Sequence, residues 1–137
     1  MEAARVARMT NPQITLGAIN MEAEDPTGLA TFWTGVTGAE QSVNGESVYL
    51  PPNGPGGFGM FFQRGTVPRS EHQVSHLDLT VPWGSRKAEG ERIIGLGATF
   101  GWEVLEEFAH VQWTTLADPE RNLFCVAEHP PADQQGA

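Results

Sequence analysis

The sequence predicts an α+β fold made of two similar halves, each with the element order βαβββ. Two amphipathic segments carry helix start and stop signals, and each is followed by the dipeptide Gly-Ala, at Gly38-Ala39 and Gly97-Ala98. Alternating apolar residues predict strands before and after both helices, so the order of elements repeats along the chain. A length of 137 residues suits one domain, or two small modules that share a core.

Module 1 is predicted to cover residues 12–65. Its first strand is expected over residues 14–22 and its helix over residues 26–37, with Asp25 as the N-cap and Pro26 at the first helical position. One apolar stripe recurs at helical spacing: Leu29, Phe32, Trp33 and Val36. The other predicted elements are strands over residues 40–43, 46–50 and 58–64, a hairpin turn at Asn44-Gly45, and a loop over residues 51–57.

Module 2 is predicted over residues 72–128, after a link over residues 65–71. Its first strand is expected over residues 72–81, and Ser85 is the expected cap of a helix over residues 86–96. Three further strands and a tail follow, over residues 102–108, 110–116, 123–128 and 129–137. Both modules together are treated as a single domain over residues 1–137.

Charge and composition limit the classes of partner. The net charge of −9 and a pI near 4.7 disfavour nucleic acid and anionic membrane surfaces. No apolar run approaches the roughly 18 residues of a membrane span, and residues 1–10 lack the apolar core of a secretory signal. The single cysteine, Cys125, excludes an internal disulfide framework. We therefore expect a cytoplasmic protein.

Several motifs in module 2 occur in a characteristic order: Ser75-His76-Leu77-Asp78-Leu79, Leu96-Gly97-Ala98, the spaced residues Trp113, Leu116, Asp118 and Pro119, and Phe124-Cys125-Val126. A strand with a His, a helix ending in Leu-Gly-Ala and strands joined by an Asp-Pro turn resemble the vicinal oxygen chelate superfamily. That superfamily includes glyoxalase I, extradiol dioxygenases and bleomycin-resistance proteins. The resemblance spans residues 12–128, and it implies a curled mixed sheet around a cleft, with the helices outside.

The resemblance also implies where metal ligands would lie. The superfamily takes one ligand from the first and the last strand of each module, and these positions fall at Ala18, Phe61, His76 and Cys125. Alanine and phenylalanine offer no donor, and catalytic zinc typically needs three protein ligands, so we expect no metal. The alternative is a divalent metal at His76 with Gln63 or Glu22, both expected on the cleft face.

The leading hypothesis is a small-molecule binding protein of the glyoxalase/bleomycin-resistance type that works without a metal. An apolar or aromatic ligand is expected in a cleft lined by five residues: Phe61, Gln63, His76, Trp113 and Cys125. Proteins of this type often form dimers, so a homodimer is expected, and no catalytic residue is assigned. The alternatives are a metal-dependent lyase, isomerase or dioxygenase, and an interaction module with a vestigial cleft.

The main site residues also have structural interpretations. His76 is either a wall histidine hydrogen-bonded to Asp78, or a polar contact or general base for the ligand. Cys125 is either a small apolar residue of the wall or a reactive thiol. Trp113 either packs in the core or stacks on the ligand.

Overall fold

The computed structural model describes residues 12–135. Module 1 contains strand β1 (Ile19–Ala23), helix α1 (Pro26–Thr37) and strands β2 (Ser42–Asn44), β3 (Ser47–Leu50) and β4 (Met60–Arg64). Module 2 contains strand β5 (Leu77–Thr80), helix α2 (Arg86–Gly95) and strands β6 (Thr99–Val104), β7 (Gln112–Ala117) and β8 (Leu123–Glu128). The α+β class and the two βαβββ modules are therefore confirmed.

The ends of the chain add little to this arrangement. The predicted tail contains a short 3₁₀ helix at Ala132–Gln134. Residues 136–137 of the tail lie outside the described residues, and so do residues 1–10, for which we expect no secretory signal. Neither of the two described helices has the length and apolar character needed to cross a membrane.

Each module forms one four-stranded mixed sheet. The strand order is β1-β4-β3-β2 in module 1 and β5-β8-β7-β6 in module 2. In both sheets the first and last strands of the module are parallel neighbours, and the other pairs are antiparallel. The register pairs Asn20 with Phe61 and Asp78 with Cys125, so these two pairs occupy equivalent places in the two modules.

The first helix begins and ends where its local signals predict. The Asp25 side chain accepts a hydrogen bond from the Gly28 N–H at 3.1 Å, and Pro26 starts the helix. Gly38 ends it with φ of 78°, a left-handed conformation that costs glycine little.

The second helix is capped by a residue distant in sequence. Ser85 precedes it as predicted, but its side chain makes no capping hydrogen bond. Glu128 on β8 takes that role, because its Oε2 accepts hydrogen bonds from the N–H groups of Gly84 and Arg86. The buried Arg86 guanidinium in turn donates to Glu128 Oε1 at 3.3 Å and to Glu103 Oε2 at 2.7 Å. This network fixes the start of α2 to the second sheet.

The two modules share one apolar core, which includes the helix-covered faces of both sheets. Trp33 of α1 is fully buried, and its ring lies 4.9 Å from that of Phe124 on β8. Phe32 also contacts Phe124, with ring centroids 6.2 Å apart. The Trp33 indole N–H donates to Asp118 Oδ2 at 3.1 Å across the seam between the modules. Helix α1 therefore packs on both modules.

The two helices also contact each other. Arg92 of α2 donates hydrogen bonds to the carbonyls of Gly35 and Val36 in α1, so the two helices meet in the seam. An added Cβ at Gly35 would lie 2.9 Å from Leu96, which shows how closely the modules approach.

Several strands are shorter than predicted because pairing, rather than local pattern, decides where a strand begins. β1 starts at Ile19 instead of residue 14, and β5 starts at Leu77 instead of residue 72. Gln73 holds the stretch before β5 in an irregular path, since its side chain bonds to the backbone of Ser75 and Leu123. β6 begins earlier than predicted, at Thr99, and has a register shift next to Gly101.

Candidate functional site

Each sheet has an open face, which is the face turned away from the shared core. Successive strand residues point to opposite faces, so burial of one set identifies the other. In module 1, Met60 and Phe62 are fully buried under α1. The residues between and beside them form the open face of module 1: Asn20, Glu22, Phe61 and Gln63.

The open face of module 2 follows by the same alternation. Phe124 and Val126 are fully buried in the core, which places Cys125 between them on the open face. The register then assigns to this face four further strand residues: Asp78, Trp102, Trp113 and Thr115. His76, just before β5, joins them, since its Nδ1 lies 2.9 Å from Asp78 Oδ1.

Four polar side chains on the open face of module 2 form a connected cluster. The His76 Nδ1 atom lies 2.9 Å from Asp78 Oδ1, which is within ion-pair distance. The Thr115 hydroxyl and the Cys125 sulfur form a hydrogen bond at 3.4 Å. Donor atoms of His76, Asp78 and Cys125 all lie within 4.8 Å of one another. The predicted proximity of His76 and Cys125 is therefore observed.

The environment of Cys125 keeps its thiol protonated. Burial raises the pKa of the Cys125 thiol above its ordinary value of 9.0, and the charge and hydrogen bond of Asp78 raise it further. Thr115 opposes this by lowering the pKa, but the net shift is upward. Because the thiolate is the nucleophile, this direction favours the interpretation of Cys125 as part of the wall over that of a reactive thiol.

Aromatic side chains border the polar cluster. The Trp113 ring stacks on Phe108, with centroids 5.7 Å apart and an interplanar angle of 22°. Trp113 is partly buried, and Trp102 on the neighbouring strand is 50% exposed. The open face of module 2 thus offers indole surface beside a His, a carboxylate and a thiol.

The five predicted site residues fall into two groups. His76, Trp113 and Cys125 belong to the open face of module 2, whereas Phe61 and Gln63 belong to that of module 1. Since the modules pack through their other faces, the two groups do not line one cleft within a single chain. A groove of about 240 Å³ lies in the seam between the modules, but none of the five residues lines it.

Two site residues were missed by the sequence-based site prediction. Asp78 was treated only as a partner of His76, although its place two residues further along the strand puts it on the same face. The predicted site does not include Trp102, because its register against Thr115 depends on the irregularity near Gly101.

The donor set does not suit the hard cations that need oxygen ligands. Ala18 and Phe61 contribute no donor, and Glu22 pairs with Gln63 on the open face of module 1, apart from His76. Magnesium and manganese prefer carboxylates and other oxygens. The nitrogen, oxygen and sulfur donors of His76, Asp78 and Cys125 are closer to the preferences of zinc.

Comparisons with known proteins agree with this architecture. A family model described as a glyoxalase-like domain matches residues 18–127. None of the curated proteins compared matches the sequence. Among solved structures, a glyoxalase/bleomycin resistance protein/dioxygenase family enzyme from Burkholderia phytofirmans is 18% identical, covers 85% of this chain and 100% of its own, and has a TM-score of 0.74.

Two further solved structures have the same fold. The fosfomycin resistance protein FosX from Listeria monocytogenes is 16% identical, with coverage of 88% of this chain and 94% of its own and a TM-score of 0.68. A glyoxalase/bleomycin resistance protein from Albidiferax ferrireducens is 15% identical, with coverage of 83% and 98% and a TM-score of 0.64. The Listeria protein has also been crystallised, in a mutant form, with manganese(II) and a dihydroxypropylphosphonic acid. With its two βαβββ modules and a family match over most of its length, this chain belongs to the glyoxalase-like domain family of the vicinal oxygen chelate superfamily.

Proposed function

We propose that this protein binds a small apolar or aromatic molecule on the open faces of its sheets, without a resident metal. The observation that carries the proposal is the exposed indole surface of Trp102 beside Trp113 and the polar cluster around His76. Ligand sites are typically apolar and aromatic, with a few placed polar groups. A cytoplasmic location is part of this proposal, because the single cysteine is a free thiol.

The proposed site forms between two copies of the chain. In one copy each open face lies on the side of its sheet opposite the shared core, and large apolar side chains on or near the open faces are exposed: Tyr49, Trp102 and Phe108. A homodimer that places the open face of module 1 against that of module 2 of a second copy would bring Phe61 and Gln63 to His76. Such a dimer also removes apolar surface from water.

The dimer is tested by sedimentation equilibrium at micromolar concentration. The expected mass is twice the 14.8 kDa of the chain. A monomer mass would contradict this part of the proposal, because Phe61 and Gln63 would then not share a site with His76.

Ligand binding is tested by thermal shift with a set of neutral apolar and aromatic compounds, followed by titration of tryptophan fluorescence. A ligand at about 100 times its Kd stabilises the native state by about 2.7 kcal/mol, which such a screen detects. Trp102→Ala is expected to weaken binding. Trp83→Ala is the matched control, since Trp83 is also exposed but lies in the turn before α2. Equal binding by both variants, or no ligand in the whole set, would contradict the proposal.

A second candidate function is a metal-dependent lyase, isomerase or dioxygenase, and the donor cluster of His76, Asp78 and Cys125 is the observation that favours it. Three protein donors with a free position are the usual arrangement of catalytic zinc. Elemental analysis of protein purified without chelator distinguishes the two functions. Stoichiometric zinc that is lost in His76→Ala would favour the enzyme, whereas the proposed binding protein contains none.

A further inference from the structure

We propose that the ligand carries a positively charged group, such as a quaternary ammonium, which lies over the exposed indole of Trp102 and beside the Glu22 carboxylate of the second copy. This inference rests on the proposed binding function and its dimer, and it adds the chemical class of the ligand. It follows from the aromatic rings on the open faces, from the carboxylate beside them, and from where the basic side chains of residues 12–135 lie.

Both open faces present aromatic rings. On module 1, Tyr49 of β3 pairs with Phe61 of β4, so the two side chains are neighbours on one face. On module 2, Trp102 is 50% exposed, and Trp113 lies two residues from Thr115, which is the cross-strand partner of Trp102. The face of an aromatic ring attracts a cation, and tryptophan attracts it most strongly. In the proposed dimer these rings approach a ligand from two sides.

The open face of module 1 carries an exposed carboxylate, that of Glu22. Glu22 on β1 is paired with Gln63 on β4, so the dimer that brings Gln63 to His76 brings Glu22 as well. Among the ion pairs formed within residues 12–135, none includes Glu22. Asp78 adds a second exposed carboxylate, on the open face of module 2. A carboxylate without a cationic partner in the protein is available to a cation on a ligand.

The basic residues within residues 12–135 lie off the open faces: Arg64, Arg69, Arg86, Lys87, Arg92 and Arg121. Three of them belong to helix α2, and two lie in or against the turn between β7 and β8. Arg64 is on β4, but it follows Gln63 and therefore points to the opposite face, and it pairs with Glu46 at 3.1 Å. An anionic ligand would meet no basic side chain on these faces, whereas a cation meets Glu22. The net charge of −9 also favours the approach of cations.

The test compares a quaternary ammonium with its neutral isostere. The neutral compound is para-tert-butylbenzyl alcohol, and the cation has a trimethylammonium group in place of the tert-butyl group, with nearly the same shape. Both are titrated by isothermal calorimetry against the chelator-treated protein. We expect the cation to bind about tenfold more tightly, because the indole face and the Glu22 carboxylate attract it. The neutral alcohol should still bind through its apolar surface.

Two substitutions locate the cation. Trp102→Leu keeps an apolar side chain but removes the ring face, and Glu22→Gln keeps the shape but removes the charge, so each should reduce the preference to about threefold. A loss of apolar contact alone would weaken both compounds equally and leave their ratio unchanged.

Two matched controls make the same chemical changes outside the open faces. Trp83→Leu changes an exposed indole in the turn before α2, and Glu91→Gln changes an exposed carboxylate on α2. Both controls should keep the preference of about tenfold for the cation. Circular dichroism checks that each variant is folded.

The outcomes separate the inference from the function on which it rests. If neither compound binds the wild type, the proposed binding of aromatic ligands fails. If the neutral alcohol binds as tightly as the cation, that function stands and the inference is refuted. A preference that is undiminished in both Trp102→Leu and Glu22→Gln would place the cation elsewhere and would also overturn the inference. A preference that falls equally in Glu91→Gln would reflect net charge rather than this site, with the same consequence.

Discussion

The hydrogen bond between Trp33 and Asp118 is the joint between the two modules, and it can be tested by replacing Asp118 with Asn. Asp118 is buried, and its Oδ2 accepts hydrogen bonds from the Trp33 indole at 3.1 Å and from the Asn122 amide at 2.8 Å. Its Oδ1 accepts from the backbone N–H groups of Glu120 and Asn122, both at 2.9 Å. Asparagine has the same shape, but one of its two terminal groups is a donor. In either orientation of the asparagine amide, its NH₂ group faces N–H groups that need an acceptor.

The size of the effect follows from burial. The turn after Asp118 is preserved if the amide oxygen accepts from the backbone N–H groups of Glu120 and Asn122. The N–H of the fully buried Trp33 then has no acceptor. An unsatisfied buried donor costs about 1–3 kcal/mol, and the lost charge-assisted bonds add to this. We therefore expect Asp118→Asn to lower the free energy of unfolding by about 3 kcal/mol, as measured by urea denaturation with far-ultraviolet circular dichroism.

A double-mutant cycle isolates the contact across the seam. Trp33→Phe removes the donor, so Asp118→Asn should cost about 1–3 kcal/mol less in that background than in the wild type. Asp133→Asn, at an exposed position in the 3₁₀ helix, is the control and should change stability by less than about 0.5 kcal/mol. If Asp118→Asn costs no more than this control, or costs the same in both backgrounds, the described joint between the modules is incorrect.

Three further substitutions test other features. Asp78→Asn removes the charge that helps to raise the pKa of Cys125, so the pH midpoint of alkylation by iodoacetamide should move down toward 9.0; an unchanged midpoint would contradict the cluster. Arg86→Met leaves a buried carboxylate unpaired and should cost about 3–5 kcal/mol in urea denaturation, whereas Lys87→Met at the next, exposed position should cost little. Arg121 has φ of 68°, so Arg121→Gly should stabilise the fold by about 1 kcal/mol and Arg121→Ala should not; a loss of stability with glycine would refute the strain.

The pKa of Cys125 also has a consequence for stability. Because the folded-state pKa is raised, the protonated thiol contributes stability that is fully present below its ordinary pKa of 9.0 and is lost as the pH rises through the folded value. Cys125→Ala should therefore show a smaller fall in the free energy of unfolding over this alkaline range.

The exact ends of one element, helix α1, could be predicted from the residues at those ends. Helix α1 has the predicted bounds because Asp25, Pro26 and Gly38 act through contacts within a few residues of the helix. The cap of α2 was not predictable in this way, since Glu128 lies far along the chain from the N–H groups that it binds. The strand expected over residues 14–22 also depends on a distant partner. Its pairing with β4 begins only at Ile19, so the prediction was wrong for residues 14–18.

The sequence pattern alone does not predict how the two modules pack against each other. The apolar stripe of α1 shows that the helix is covered, but it does not show whether one sheet or two cover it. Trp33 fills the seam and binds Asp118, so the helix contributes to both modules. This moves Phe61 and His76 to separate open faces of one chain. By contrast, the period of two along the strand expected over residues 72–81 puts Asp78 on the same face as His76, although the predicted site does not include Asp78.

The most direct test of the account is a crystal structure of the protein, purified with a chelator, in complex with an aromatic ligand. The proposed function predicts the ligand on the open face of module 2, against Trp102 and His76, with Phe61 of a second copy on its other side. A ligand seated in the seam between the helices, or a metal ion coordinated by His76 and Cys125 after zinc-free purification, would contradict it.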